Sequence, residues 1–205
     1  MEIITLQTGM LSVNTYLLIQ DGKCVVVDPG GDASYILSEV RRRGATAEWV
    51  LLTHAHFDHT GGVQDLVSAG LKVAIGREEE SALNNPSLSL TAMVGLPALN
   101  VRADKTVVDG EKFTLCGMEF TALHTPGHTE GSYCYQVGGV LLSGDTLFCG
   151  SYGRTDFPGG SGVQLKKSLK RLFDLEGDMT VYPGHEDPTT LSFERQYNPI
   201  VGMER

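Results

Sequence analysis

No stretch of this 205-residue chain approaches the roughly 18 consecutive apolar residues that a membrane-spanning helix needs. The opening Met1-Glu2-Ile3-Ile4-Thr5-Leu6-Gln7 lacks a basic segment followed by an apolar core, so no secretory signal is expected and a cytoplasmic location is. Cysteine is scarce. Cys24, Cys116, Cys134 and Cys149 include no Cys-x-x-Cys pair, which argues against a disulfide framework. All four are expected as buried free thiols, and Cys149, although it follows a candidate site loop, as a packing residue. Basic runs are limited to Arg41-Arg42-Arg43 and the formal net charge is −9, so the basic face that a nucleic-acid partner requires is missing. Repeats, low-complexity tracts and charged linkers are absent too. With 41% apolar and 20% charged residues, the chain has the make-up and length of an ordinary globular protein with a sizeable core.

Short apolar runs fill the sequence. Val13–Ile19 alternates Val13, Thr15, Leu17 and Ile19, and Cys24–Asp28 ends in Asp-Pro-Gly-Gly, so both read as strands. Ala33, Ile36, Leu37 and Val40 lie at helical spacing in Ala33–Arg43, with Asp32 placed to cap the start and Gly44 to end it. Trp49–Thr53 reads as a buried strand. Further strands are expected at Leu71–Ile75, Lys112–Cys116, Met118–Leu123, Tyr133–Val137, Val140–Ser143 and Met179–Tyr182. A second helix, Val163 to Asp174, carries Leu165, Leu169, Leu172 and Phe173 on one side, with Ser161 as its cap. Many strands and few helices, without strict alternation, predict packed sheets flanked by helices. Asn84–Asn100 reads either as a lid over a site or as a loop folded onto the core.

Three of the six histidines fall within six positions, His54-Ala55-His56-Phe57-Asp58-His59. Imidazole and carboxylate in such spacing suit zinc, iron or manganese, and one loop of this kind can serve two neighbouring ions. The remaining donors recur after apolar runs and beside glycine: His128 in Pro126-Gly127-His128, Asp145 in Ser143-Gly144-Asp145, and His185 in Pro183-Gly184-His185. Glycine there allows backbones to crowd a small site. Seven donors exceed one tetrahedral zinc and suit two ions with a shared group. His124 reads as a packing residue or an outer support of the metal loop, and Asp28 as a turn residue or a support of a ligand.

Thr53-His54-Ala55-His56-Phe57-Asp58-His59 resembles the THxHxDH signature of the metallo-β-lactamase superfamily, and His128, Asp145 and His185 follow in that superfamily's order. Gly144-Asp145-Thr146-Leu147-Phe148 and Gly184-His185-Glu186 look most like glyoxalase II (hydroxyacylglutathione hydrolase). Gly153-Arg154-Thr155-Asp156-Phe157-Pro158-Gly159-Gly160 resembles that group's short bacterial members. The resemblance implies an α+β fold, the αββα sandwich of two mixed β-sheets flanked by helices, as a single domain over residues 1–205. It implies His54, His56 and His128 on one metal, Asp58, His59 and His185 on a second, and Asp145 bridging both. The cofactors would be two divalent ions, zinc first, with iron or manganese also suited.

Such a pair, about 3.5–4 Å apart, would lower the pKa of a bridging water towards about 7 and polarise a carbonyl. Asp58 would orient that hydroxide or take its proton, or serve only as a ligand. The implied function is a dinuclear metal-dependent hydrolase, a glyoxalase II-type thioesterase acting on hydroxyacylglutathione or a related small-molecule thioester. An iron-dependent persulfide dioxygenase and an intracellular lactonase share the fold and stand as alternatives. A non-catalytic descendant is disfavoured because all seven donors are present.

The departures concern substrate. Glyoxalase II adds a C-terminal helical domain that helps to bind glutathione, whereas 20 residues follow His185 here. By motif spacing, two tyrosines that the family places near glutathione are Asp156 and Asp187 in this chain. Arg154 matches a basic position beside that pocket and is the candidate substrate-binding residue; the competing reading is a surface salt bridge.

Overall fold

A computed structural model describes residues 1–204. The chain opens with strands β1 (Glu2–Thr8), β2 (Val13–Gln20) and β3 (Lys23–Val27), then helix α1 (Ala33–Arg42) and strand β4 (Thr46–Leu52). Two short helices, α2 (Phe57–Thr60) and α3 (Val63–Ser68), lead to β5 (Lys72–Gly76), a 3-10 turn, the four-residue α4 (Thr91–Val94) and β6 (Lys105–Val107). The second half runs through β7 (Lys112–Leu115), β8 (Met118–His124), β9 (Tyr133–Val137), β10 (Val140–Gly144) and a small ribbon, β11 (Leu147–Phe148) with β12 (Ser151–Tyr152). Helix α5 (Gly162–Phe173), β13 (Thr180–Pro183), β14 (Thr189–Thr190), α6 (Leu191–Tyr197) and a terminal 3-10 turn follow.

Strands β1 to β6 form one six-stranded sheet in sequence order; β14-β13-β10-β9-β8-β7 form the other. Both are mixed. The first is antiparallel up to β3 and parallel from β3 to β6, and the second is antiparallel except where β10 meets β13. The period-2 alternation of strand side chains explains how they stack. In β2, Leu17 and Ile19 face a core shared with Ile36 and Val40 of α1 and Leu66 of α3, while Tyr16 and Leu18 face a core shared with Phe120, Tyr133 and Tyr135 of the other sheet. On the far side, Leu123, Cys134 and Leu141 pack on Leu165, Leu169 and Leu172 of α5. The four layers are therefore helix, sheet, sheet, helix. Because both faces of β3 and β4 are covered, these strands read as continuous apolar runs.

Ser161 caps α5 as expected, its hydroxyl accepting from the Gln164 amide. Asp32 does not cap α1. Its left-handed backbone, φ 52°, carries the carboxylate away from the first turn and towards the Gly9 amide, 3.4 Å away. A side-chain cap needs an extended backbone at that position. Cys116 lies outside the strand predicted to contain it. Leu115 pairs with Met118, which leaves Cys116-Gly117 as a two-residue hairpin turn with φ 51° and 77°. Cys24, Cys116 and Cys134 are buried, but Cys149 is exposed, contrary to expectation, because it occupies the turn of the β11–β12 ribbon. The Asn84–Asn100 segment divides its apolar residues. Leu88 and Leu99 pack against the helix-side core, whereas Met93, Val94 and Leu96 are exposed.

Candidate metal centre

The seven donors named from the sequence meet at one edge of the two sheets. His54 and His56 lie on the loop leaving β4, and α2 carries Asp58 and His59 one turn further on. His128 comes from the β8–β9 connection, Asp145 follows β10, and His185 follows β13. Three overlapping groups have donor atoms within 4.8 Å of one another: His54, His56 and His128; His54, His59 and Asp145; and Asp58, His59 and His185. His54 and His59 are fully enclosed, while His185 is a quarter exposed and faces the cleft.

Hydrogen bonds behind the site set the imidazole tautomers. Thr53 Oγ1 donates to Asp28 Oδ2 at 2.6 Å, so at 3.1 Å from His54 Nδ1 it acts as the acceptor. His59 Nδ1 donates to Asp28 Oδ2 at 3.0 Å, and His128 Nδ1 to the Arg154 carbonyl at 2.8 Å. In all three rings Nδ1 is thus engaged behind the site, and Nε2 is the nitrogen that faces into it. Asp28 thus holds the His59 ring and the Thr53 hydroxyl rather than serving only a turn.

The front of the site has too few partners. His54 Nε2, His56 Nε2, His59 Nε2 and Asp145 Oδ1 are buried with no hydrogen bond. His59 Nε2 approaches Asp145 Oδ1 to 3.2 Å, but without hydrogen-bond geometry. Unpaired buried polar atoms are costly and rare, and three that converge, on His54, His59 and Asp145, call for an ion, while His56 turns its other nitrogen, Nδ1, towards His128. The spacings agree. His56 Nδ1 lies 2.9 Å from His128 Nε2, His185 Nε2 lies 3.1 Å from Asp58 Oδ2, and Asp145 Oδ2 lies 3.5 Å from His128 and 3.8 Å from His185. Donors about 2.0–2.2 Å from a shared tetrahedral ion stand roughly 3.3–3.6 Å apart. Asp145 has one oxygen towards His59 and the other towards His128 and His185, the placement of a shared ligand.

Protonation follows the same division. Burial and the neighbouring rings hold His54 well below the ordinary imidazole pKa, and burial with His128 pushes His56 down to about 3. Burial opposes a proton on His59, but Asp145, Asp58 and Asp28 outweigh it and hold its pKa well above the usual value. His185 is likewise raised, with Asp58 and Asp145 outweighing its partial burial. Protons thus sit where the carboxylates would otherwise hold cations.

Glycine makes the crowding feasible. A Cβ on Gly184 would run into the Asp145 carboxylate and the His59 ring. One buried carboxylate unmarked by the sequence reading ties the site together. Glu79, 3% exposed, accepts from Ala55 N at 2.9 Å, Thr129 Oγ1 at 3.0 Å and Gly131 N at 3.1 Å, joining the His54-Ala55-His56 loop to the His128 loop. His124 bonds the Glu130 carbonyl and leans on Tyr133, a packing role behind the same loop. Arg154 pairs with Asp156 through two 2.7 Å hydrogen bonds and lies 4.0 Å over the Phe157 ring, so the salt-bridge reading holds while the residue still lines the cleft. That cleft, of about 600 Å³, opens onto His56, Asp58, His128, Asp145 and His185.

Known proteins agree with this construction. Residues 8–185 match the family model of the metallo-beta-lactamase superfamily. A probable metallo-hydrolase, YqgX of Bacillus subtilis, is 33% identical, with 94% of each chain covered. The hydroxyacylglutathione hydrolase GloC of Haemophilus influenzae is 31% identical, with 93% of each covered. Among solved structures, the BLEG-1 B3 metallo-beta-lactamase superposes with a TM-score of 0.92 at 33% identity, covering 98% of this chain and 99% of that one. TTHA1623 in a di-iron-bound form gives 0.85 at 36% identity, covering 96% and 98%. A fold of two mixed sheets between helices, a His/Asp cluster at their edge and relatives matched over nearly their whole length place this chain in the metallo-β-lactamase superfamily.

Proposed function

We propose that this protein is a dinuclear metal-dependent hydrolase of the glyoxalase II type, cleaving the thioester of hydroxyacylglutathione or a related small molecule. The observation that carries the reading is the convergence of seven donors with unpaired buried atoms, open to a cleft on the His185 side. His54, His56 and His128 would hold one ion and Asp58, His59 and His185 the other, with Asp145 between them. Two such ions supply activated water and an electrophile for the acyl carbonyl.

The chain's own groups do the rest. Asp58 lies at the cleft wall with His185 bonded to one oxygen, so it can orient water and hold a proton beside the carbonyl. No Ser or Cys nucleophile is required. His54, His59 and His128 keep their tautomers through Asp28, Thr53 and the Arg154 carbonyl, so the donors are preorganised. Zinc suits the nitrogen and oxygen set, and so does iron, which TTHA1623 binds. Metal analysis of the purified protein decides between them.

The experiment is hydrolysis of S-D-lactoylglutathione by metal-replete protein, beside a chelated sample and Asp145→Ala. Metal-dependent turnover lost by at least a hundredfold in Asp145→Ala is expected. Full turnover in that variant would overturn the shared-ligand arrangement, and none in metal-replete protein would exclude this substrate.

A further inference from the structure

We infer that the cleft beside the metal centre selects its substrate by an apolar arm and disfavours carriers, such as glutathione, that present several carboxylates. The inference rests on the hydrolase reading above and names the class of acyl or thiol group the site admits. The apolar part of the cleft lining includes Leu11, Leu90, Met93, Val94, Phe148 and Phe157. Three of these are open to water, Met93 by 66%, Leu11 by 54% and Val94 by 41%. Met10 and Leu96, also exposed, line an adjoining hollow that shares Phe57 and Asp58 with the cleft. Large apolar side chains left wet at the mouth of a site gain free energy when an apolar ligand covers them.

The charges point the same way. Among the described residues Arg154 is the sole Lys or Arg lining the cleft, and one edge of its guanidinium, Nε and Nη2, pairs with Asp156 while its face lies on Phe157. Glu186 adds an acidic group to the lining. A ligand carboxylate away from the metals would therefore meet a cation already paired with Asp156 and the negative charges of Asp156 and Glu186, an arrangement that rejects as well as selects. The apolar lining fits a thioester with a short alkyl chain or an uncharged thiol arm.

Binding separates selection from chemistry. Uncleavable S-alkyl thioethers of N-acetylcysteamine, from methyl to hexyl, and S-hexylglutathione are titrated into the zinc-loaded protein by calorimetry. Affinity for the first series should rise about two- to fourfold per methylene. The hexyl member should bind at least tenfold tighter than S-hexylglutathione. Leu11→Ser with Met93→Ser, both exposed enough to leave folding aside, should flatten the series. Asp156→Ala, which frees Arg154, should narrow the gap to S-hexylglutathione severalfold. A flat series in the wild type, or S-hexylglutathione bound as tightly as its uncharged counterpart, overturns the inference. The matching thioesters are then incubated with the same protein. If they survive while the thioethers bind as expected, the thioesterase reading fails and the apolar selection stands; cleavage with a flat thioether series gives the reverse.

Discussion

Glu79 sits between two ligand-bearing loops with three donors aimed at its carboxylate, yet burial dominates and raises its pKa to about 7. The unfolded side chain titrates near 4.5, so the folded state binds this proton more tightly. Its contribution to stability is therefore full below about pH 4.5 and is lost as pH rises through about 7. Glu79→Gln places an amide N–H against groups that already donate and should cost about 1–3 kcal/mol. The stability difference between wild type and Glu79→Gln, followed by urea denaturation at several pH values, should shrink from pH 4.5 to 7. A difference independent of pH would show that Glu79 does not titrate in that range. Asp28 works at the same scale, holding both the Thr53 hydroxyl and the His59 ring. Local order made the metal set readable here: His54, His56, Asp58 and His59 declare themselves within six positions. Glu79 did not, because in Glu78-Glu79-Glu80 nothing local marks the middle carboxylate as buried, and an acidic run ordinarily reads as solvated.

Each of the four donor loops begins where a strand ends, and short helices or glycines turn it sharply. After β13 the turn passes through Gly184, whose missing side chain leaves room for the Asp145 carboxylate and the His59 ring. Gly184→Ala should overpack this point at about 1–3 kcal/mol and displace Asp145 or His59. Metal analysis and thermal denaturation together should show at least one ion lost from a protein that still folds; two ions retained at wild-type affinity would count against the crowding argument. Strands with a strong apolar signal were legible, β2 by its alternation and β3 as a continuous run, as were α1 and α5 from their helical spacing. The two edge strands of the first sheet were not. In β1 only Leu6 and Thr8 are buried, and β6 spans three residues, so neither carries a periodic signal. The Cys116-Gly117 turn was hidden by the apolar cysteine, which continues the pattern of β7 while the backbone reverses.

Across the molecule, two sheets bring loops from both halves of the chain to one edge, and the charges gathered there anticipate cations. Their carboxylate neighbours raise the pKa of His59 and His185, so protons and metal compete at these rings, and loading should release protons while affinity falls as pH is lowered. Calorimetric zinc titrations at pH 7 in buffers of different ionisation enthalpy should report net proton release; none would contradict the assignment of these two rings. Removing the ions should also destabilise the fold, by about 2.7 kcal/mol where free metal stood at a hundred times its dissociation constant. No helix among the described residues is long and apolar enough to cross a membrane.

Residue order alone carried the seven donors, the glycines beside them and the strand-rich α+β pattern, because metal-ligand spacing and period-2 burial are local properties written along the chain. Tertiary structure decided the rest. That Asp28 orients His59, that Glu79 joins the His54 and His128 loops, that Arg154 is committed to Asp156, and that Leu11 shares a cleft with Met93 are facts of packing. Leu11, on the β1–β2 turn, and Met93, on α4, lie 82 positions apart, and only the folded arrangement of these connections sets them against the same hollow.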